Sequence, residues 1–268
     1  DMDQDEENIL SAPEKPSDTI KQLIPNIMDI LMDLLIQNRA LKITDWAIFR
    51  FNKGYVSLNL EQADFSKLKC PTSNYVSRKH REQVTAQIKQ WLEDGVIEIS
   101  YAPTPVNLAL LAVDQFNSDG SLRKCRVCLD MSPINKIIPT HNFHLPRINE
   151  LLRKIKGAKY YTKIDLTQGY HQLKIYKPHR KYFSFQWKGV KYNFRGAPFG
   201  LHMLPSFFQQ VMMELFADLS DNVQVYIDDL VIYAKTEAEH TRIVKEVLDR
   251  LNRHKFKINE KKMSIRCE

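Results

Sequence analysis

Cysteine is scarce in this sequence: four residues out of 268, at Cys70, Cys125, Cys128 and Cys267. That is too few for a disulfide framework, so a reducing compartment is expected. Long apolar runs are missing as well. The most apolar segment, residues 27–36, is interrupted by Asp29 and Asp33 and falls short of the roughly 20 residues that a membrane-spanning helix requires. No membrane partner is therefore expected. No secretory signal pattern and no internal repeat are visible, and the chain opens on Asp1 rather than methionine, which reads as a fragment of a longer product. What is present is ordinary for a folded protein: 26% charged and 43% hydrophobic residues, in a length that allows one large domain or two small ones. The net charge of +7 favours a polyanionic partner, with nucleic acid the default candidate.

Residues 1–18 are acidic, contain proline and serine and hold few apolar residues, the composition of a disordered lead. Residues 19–38 place Ile20, Leu23, Ile24, Ile27, Met28, Leu31, Leu34 and Leu35 at helical spacing, with Pro25 expected to kink or split the stretch. This helix reads either as a docking element or as part of the core. Short β-prone pieces at 47–51 and 55–60 complete an N-terminal extension over 19–75. Further on, helices are predicted over 78–94, after Pro146, after Pro205, and after a capping box at Thr236-Glu237-Ala238-Glu239. Strands are predicted over 96–100, 108–113, 123–130, 160–166, 183–187 and 192–194. Turns at Asn117-Ser118-Asp119-Gly120 and Lys188-Gly189 make hairpins of their neighbours. The pattern is α+β, strands paired through hairpins and helices covering one face.

The chain is organised around Val223-Gln224-Val225-Tyr226-Ile227-Asp228-Asp229-Leu230-Val231-Ile232-Tyr233. Two β-prone apolar runs flank adjacent carboxylates, and the aspartates are the residues expected to turn. Such a hairpin lifts Asp228 and Asp229 to the tip of an otherwise apolar ribbon. A second strand, Tyr161-Thr162-Lys163-Ile164-Asp165-Leu166, ends in another aspartate. Paired beside the hairpin, it brings Asp165 close to Asp228. Three carboxylates so placed repel one another unless a cation joins them, and oxygen-only ligands suit Mg²⁺ or Mn²⁺ better than zinc. Two divalent ions about 3.5–4 Å apart are a standard means of in-line phosphoryl transfer. The plainer reading makes these aspartates a polar turn and a strand end.

Tyr226-Ile227-Asp228-Asp229 resembles the Tyr-x-Asp-Asp box of reverse transcriptases. Lys163 through Gln172 resembles the strand that carries their first metal-binding aspartate. Ala197-Pro198-Phe199-Gly200-Leu201 is similar to the turn before the family's palm helix, and Arg126-Val127-Cys128-Leu129-Asp130 to its fingers strand. His144-Leu145-Pro146-Arg147-Ile148 resembles a segment of gypsy-type LTR retrotransposons. The boxes follow the family order over about 100 to 260. The resemblance implies a right-hand polymerase fold, fingers and palm over 76–268 with the palm mainly at 143–175 and 203–268, an antiparallel palm sheet backed by helices. It implies an RNA-directed DNA polymerase that adds deoxynucleotides to a primer 3′-hydroxyl, with two Mg²⁺ ions (or Mn²⁺) held by Asp165, Asp228, Asp229 and the Leu166 carbonyl. Arg126 and Lys124 would meet the incoming triphosphate. Tyr170 would exclude a 2′-hydroxyl, or serve as plain core packing, and Phe199 and Gly200 would line the nucleotide pocket. Implied partners are an RNA or DNA template-primer, deoxynucleoside triphosphates and further C-terminal domains of the same polyprotein. The implied location is intracellular, in the cytoplasm or within virus-like particles.

The sequence departs from the family in two places. The fingers loop, Val113-Asp114-Gln115-Phe116-Asn117-Ser118-Asp119-Gly120, lacks the usual lysines, leaving Arg123 or Lys124 to substitute. His202-Met203-Leu204-Pro205 replaces a smaller run, and Leu204 is expected to alter how the template base is seated. Primer grip, thumb and RNase H are not recognisable, so an inert or non-catalytic module that binds nucleic acid or protein remains the alternative. Cys125-x-x-Cys128 has zinc-like spacing, but strand alternation sends the two thiols to opposite faces. His171, His179, His202 and His240 show no ligand spacing. The basic run Lys174, Lys177, His179, Arg180 and Lys181 reads equally as a template-facing surface and as a solvated loop.

Overall fold

A computed structural model describes residues 25–71, 75–166 and 169–267. In chain order its longer elements are α1 (Pro25–Ala40), α2 (Arg81–Glu93), β1 (Ile97–Ile99), β2 (Leu110–Phe116), β3 (Leu122–Leu129), α3 (Ile148–Ile155), β4 (Tyr160–Asp165), β5 (Ser184–Trp187), β6 (Val190–Phe194), α4 (Leu204–Leu215), β7 (Val223–Tyr226), β8 (Asp229–Ala234), α5 (Glu237–Arg253) and β9 (Ser264–Cys267). The architecture is α+β, with every ladder between these strands antiparallel. The chain divides into two compact units.

The first unit combines residues up to Phe49 with Asn142–Gly169 and the chain from Pro205 onward. Its sheet has the order β7-β8-β4-β9. Tight turns favour neighbours in sequence, so β7 and β8 pair as a hairpin. β4 and β9 are brought in from distant sequence because each carries an apolar face that the hairpin alone cannot cover. α5 packs on β8 and β4, and α1 packs on α5. Ile243, Val244, Val247, Leu248 and Leu251 recur at helical spacing on α5, and all are buried. Thr236 caps this helix by accepting the Glu239 N–H at 3.3 Å.

α1 is a core element: Leu31, Leu34 and Leu35 are buried. Asn38 anchors it, donating to Asn252 Oδ1 at 2.8 Å and to the Phe256 carbonyl at 2.9 Å, while accepting the Ile258 N–H. Pro25 is the first described residue of α1, a position where its missing N–H costs nothing. Residues 19–24 of the expected helix, and the acidic lead over 1–18, lie outside the described residues.

The second unit comprises Arg50–His141 and Tyr170–Leu204. It holds a three-stranded sheet, β1-β6-β5, and the separate β2–β3 hairpin. Trp91 on α2 seals the three-stranded sheet, with ring centroids 5.1 Å from Phe194 and 6.3 Å from Phe185. The β-prone pieces at 47–51 and 55–60 form no strand. A kinked 3₁₀ segment (Phe51–Gly54) and 3₁₀ turns with a lone parallel bridge, Val56 to Ile175, take their place. There propensity secured a single bridge rather than a ladder. Arg180 also breaks the expectation of a basic surface. It is buried, bonded to the Ile175 carbonyl at 3.3 Å and to Glu98 at 3.4 Å, which leaves Lys177 and Lys181 as the exposed cations of that run.

Candidate active site

The β7–β8 hairpin turns through Ile227 and Asp228, rather than through the two aspartates. Asp229 is already in β8, opposite Tyr226 on one side and Asp165 of β4 on the other. The direct cross-strand partner of Asp165 is thus Asp229, while Asp228 occupies the turn. A two-residue hairpin turn needs positive φ to match the twist of its strands, and Ile227 supplies it at φ 58°. For a β-branched residue this is an unfavourable conformation.

Gln209, on the first unit's part of α4 and fully buried, holds that turn from beneath. Its Nε2 donates to the Val225 carbonyl at 2.7 Å, and its Oε1 accepts the Ile227 N–H at 2.7 Å. Nothing in the sequence pattern marked Gln209. The available signal was an amide on the apolar, buried face of an amphipathic helix.

Asp165 and Asp229 sit in a poorly hydrated place, with side chains 14% and 22% exposed. Burial is the largest influence on both. It pushes Asp229 up to about 6, with Lys163 pulling down and Asp228 and Asp165 pushing further up. Asp165 moves upward as well, from burial first, opposed by Lys262 and reinforced by Asp228. Lys262 Nζ stands 3.5 Å from Asp165, and Lys163 Nζ stands 3.6 Å from Asp229. These lysines are site residues that sequence reasoning missed. Among the described residues the three carboxylates do not all come within 4.8 Å of one another. Leu166 follows β4 directly, is buried and bridges to Ile258, while the Asp165 carbonyl accepts the Asn259 N–H at 2.7 Å. Thr167 and Gln168 lie outside the described residues.

The other expected site residues belong to the second unit. Arg126 and Lys124 are exposed, two positions apart on one face of β3. The Arg126 guanidinium lies over the Phe199 ring at 4.7 Å. Tyr170 is buried, its ring 5.2 Å from Phe199. Gly200 adopts φ 95°, a conformation only glycine takes readily. Asn135 fixes the loop that follows, donating to the Gly200 carbonyl at 2.8 Å and accepting the His202 N–H at 3.0 Å. Leu204 is fully buried and so packs inward instead of presenting a surface. His171 and His240 are buried packing residues, His171 bonded to the Ala197 carbonyl and His240 to Thr162. No described helix is long and apolar enough to cross a membrane.

Comparison with known proteins gives a consistent result. A family model described as "Reverse transcriptase (RNA-dependent DNA polymerase)" matches residues 117–267. The chain is 31% identical over 197 residues, 72% of its length, to the Retrovirus-related Pol polyprotein from transposon 412 of Drosophila melanogaster. It is 31% identical over 182 residues to the corresponding polyprotein from transposon gypsy of the same fly. It spans 16% and 17% of the length of these relatives. Among solved structures, the foamy viral protease-reverse transcriptase dRH in complex with ds DNA aligns with a TM-score of 0.75 at 20% identity, over 93% of this chain and 43% of that one, a likeness of fold. On the extent of the family match, this chain belongs to the reverse transcriptase (RNA-dependent DNA polymerase) family.

Proposed function

We propose that this chain carries the polymerising site of an LTR-retrotransposon polyprotein, adding deoxynucleotides to a primer 3′-hydroxyl on an RNA or DNA template. The observation that carries the reading is the cross-strand pairing of Asp165 with Asp229 beside the Asp228 turn. The donor set is all oxygen and partly desolvated, with raised carboxylate pKa values, which suits hard divalent cations such as Mg²⁺ or Mn²⁺. Asp165, Asp228 and Asp229, with the Leu166 carbonyl, are the residues that would hold two such ions. Bound there, the ions supply charge neutralisation and a lowered hydroxyl pKa for in-line phosphoryl transfer.

The protein's own contribution is placement. β4 and β8 hold two carboxylates at fixed register, and Gln209 holds the turn that carries the third. Lys163 and Lys262 keep the ionised carboxylates tolerable in the cation-free protein. Arg126, a fork suited to phosphate oxygens, and Lys124 would take the triphosphate, while Phe199 braces the guanidinium. Tyr170, pinned by its ring contact, would reject a 2′-hydroxyl by bulk. In this reading the first unit acts as palm and the second as fingers. The foamy viral relatives are solved with ds DNA and with an RNA/DNA hybrid, which favours the same template-primers here. Further polyprotein domains downstream are part of the proposal.

Primer extension on poly(rA)/oligo(dT) with dTTP and Mg²⁺ tests it. Incorporation that falls to background in Asp228→Asn is the expected result. Equal incorporation by both proteins would refute the assignment. Absence of incorporation in both, with primer-template binding intact, would support the non-catalytic or incomplete module instead.

A further inference from the structure

The β2–β3 hairpin carries a cluster that the polymerase reading leaves unused. Asp114 and Cys125 are direct partners in its ladder. His80, at the end of the 3₁₀ turn Arg78–His80, places its ring beside them. One ligand atom from each of the three residues lies within 4.8 Å of the others. Cys128, the partner suggested by sequence spacing, pairs instead with Leu111, three positions along the strand and on the opposite face. The thiol of Cys125 therefore looks across the ladder for its companions, not along its own strand.

The outer contacts are those that orient metal ligands. His80 Nδ1 lies 2.8 Å from Ser77 Oγ, and its Nε2 lies 2.8 Å from Asp114 Oδ1. Lys79 donates to the second Asp114 oxygen at 2.8 Å, and these contacts, Lys79 first, hold the carboxylate below its usual range. A ligating imidazole generally donates its other N–H to an acceptor that fixes its tautomer, the part open to Ser77 here. His80 and Asp114 are 11% and 15% exposed at their side chains, so the cluster is shielded but reachable. Lys79, 69% exposed, is free to swing its ammonium away from an incoming dication.

We propose that His80, Asp114 and Cys125 form a site for one Zn²⁺ ion, distinct from the polymerase carboxylates. Imidazole nitrogen, thiolate sulfur and a single carboxylate oxygen together select zinc over Mg²⁺, and three protein ligands leave a fourth position for water. On binding, the Cys125 S–H bond breaks and its proton leaves to solvent as the S–Zn bond forms. His80 changes tautomer: the Nε2 proton that faces Asp114 leaves to solvent, Nδ1 takes one up and donates it to Ser77, and the Nε2 lone pair goes to the metal.

Co²⁺ serves as the spectroscopic probe on the full chain in metal-free buffer. One equivalent should produce a thiolate-to-cobalt charge-transfer band and tetrahedral d–d bands, both abolished by added Zn²⁺. The charge-transfer band should disappear in Cys125→Ser and persist in Cys128→Ser and in Asp228→Asn. Ser77→Ala should weaken binding about tenfold or more. Matching metal-free melting curves for Cys125→Ser and the parent chain keep loss of the band from being loss of fold. Zn²⁺ should also protect Cys125, and not Cys128, from alkylation. A chain that gives no charge-transfer band, a band that survives in Cys125→Ser, or one lost in Cys128→Ser would overturn the proposal.

Discussion

Gln209 has the largest consequences of any single residue that the sequence left unmarked. Its amide joins α4 to both sides of the Asp228 turn. Gln209→Leu keeps the volume and removes both bonds, leaving the buried Val225 carbonyl and the half-buried Ile227 N–H without this partner, at about 1–3 kcal/mol for each group. We expect a stability loss of about 2–6 kcal/mol for the two groups together, read by urea titration. In primer extension kcat should fall with little change in the KM for dTTP, because the residues proposed to hold the nucleotide lie elsewhere. Gln209→Glu should cost more than the leucine change while its buried carboxylate is ionised and faces the Val225 carbonyl, and less once it is protonated and can donate there. Gly196 is a second such residue. A Cβ placed there would lie 2.1 Å from the His171 carbonyl oxygen, a main-chain atom that cannot move aside. Gly196→Ala is therefore expected to cost about 3 kcal/mol or more, read as a lowered urea midpoint.

At the scale of elements, the β7–β8 hairpin stores strain where the aspartates must be presented. A left-handed conformation costs an L-residue about 1–2 kcal/mol, and Ile227 bears that cost at φ 58°. Ile227→Gly relieves it and gives up backbone entropy and side-chain contact in return. The expected outcome is a stability within about 1 kcal/mol of the parent. Val225→Gly, at a buried position of the same hairpin with ordinary strand geometry, should cost about 3 kcal/mol or more, mainly from the lost side chain. Equal losses in the two variants, measured by thermal unfolding, would show that the turn is unstrained. Much of this element was legible beforehand: alternating Val, Ile and Tyr announced two strands with aspartates at the tip. What was not legible is which residues turn. That choice follows from the β4–β8 register, which draws Asp229 into the ladder opposite Asp165.

At the scale of the molecule, each unit contains a histidine that folding keeps neutral. His171 in the second and His240 in the first are both lowered to about 4, burial being the main cause. Above about pH 6.5 neither state of the chain protonates them, so they leave stability unchanged. Below that pH the unfolded chain binds the protons and the folded chain does not. Stability should thus fall by about 1.4 kcal/mol per pH unit for each histidine, levelling near pH 4. Asp229, raised to about 6, acts in the opposite sense, since its protonation between about pH 6 and its ordinary value favours the fold. Asp165, also raised, adds to that opposition, and His179, lowered by burial, adds to the loss; urea midpoints in metal-free buffer between pH 6 and 4.5 read the balance. Asp229→Asn should steepen the loss, and His240→Asn should flatten it.

The local choices were decided by neighbouring residues, and so they could be read from the chain alone. Apolar spacing set α2, α4 and α5, Thr236 announced its helix start, Lys188 and Gly189 announced their turn, and the aspartate boxes pointed to the family before any fold was known. Only the tertiary structure decided which polar groups meet. It paired Asp165 with Asp229, placed Lys262 beside Asp165, turned Arg180 inward to Glu98, seated Gln209 under the turn, and set Cys125 against Asp114 rather than with Cys128. The reason is physical. A strand or helix is specified by side-chain periodicity over a few residues, whereas a buried amide or ion must find a partner wherever the folded chain brings one. Those partners lie from 11 to 97 residues away along the sequence.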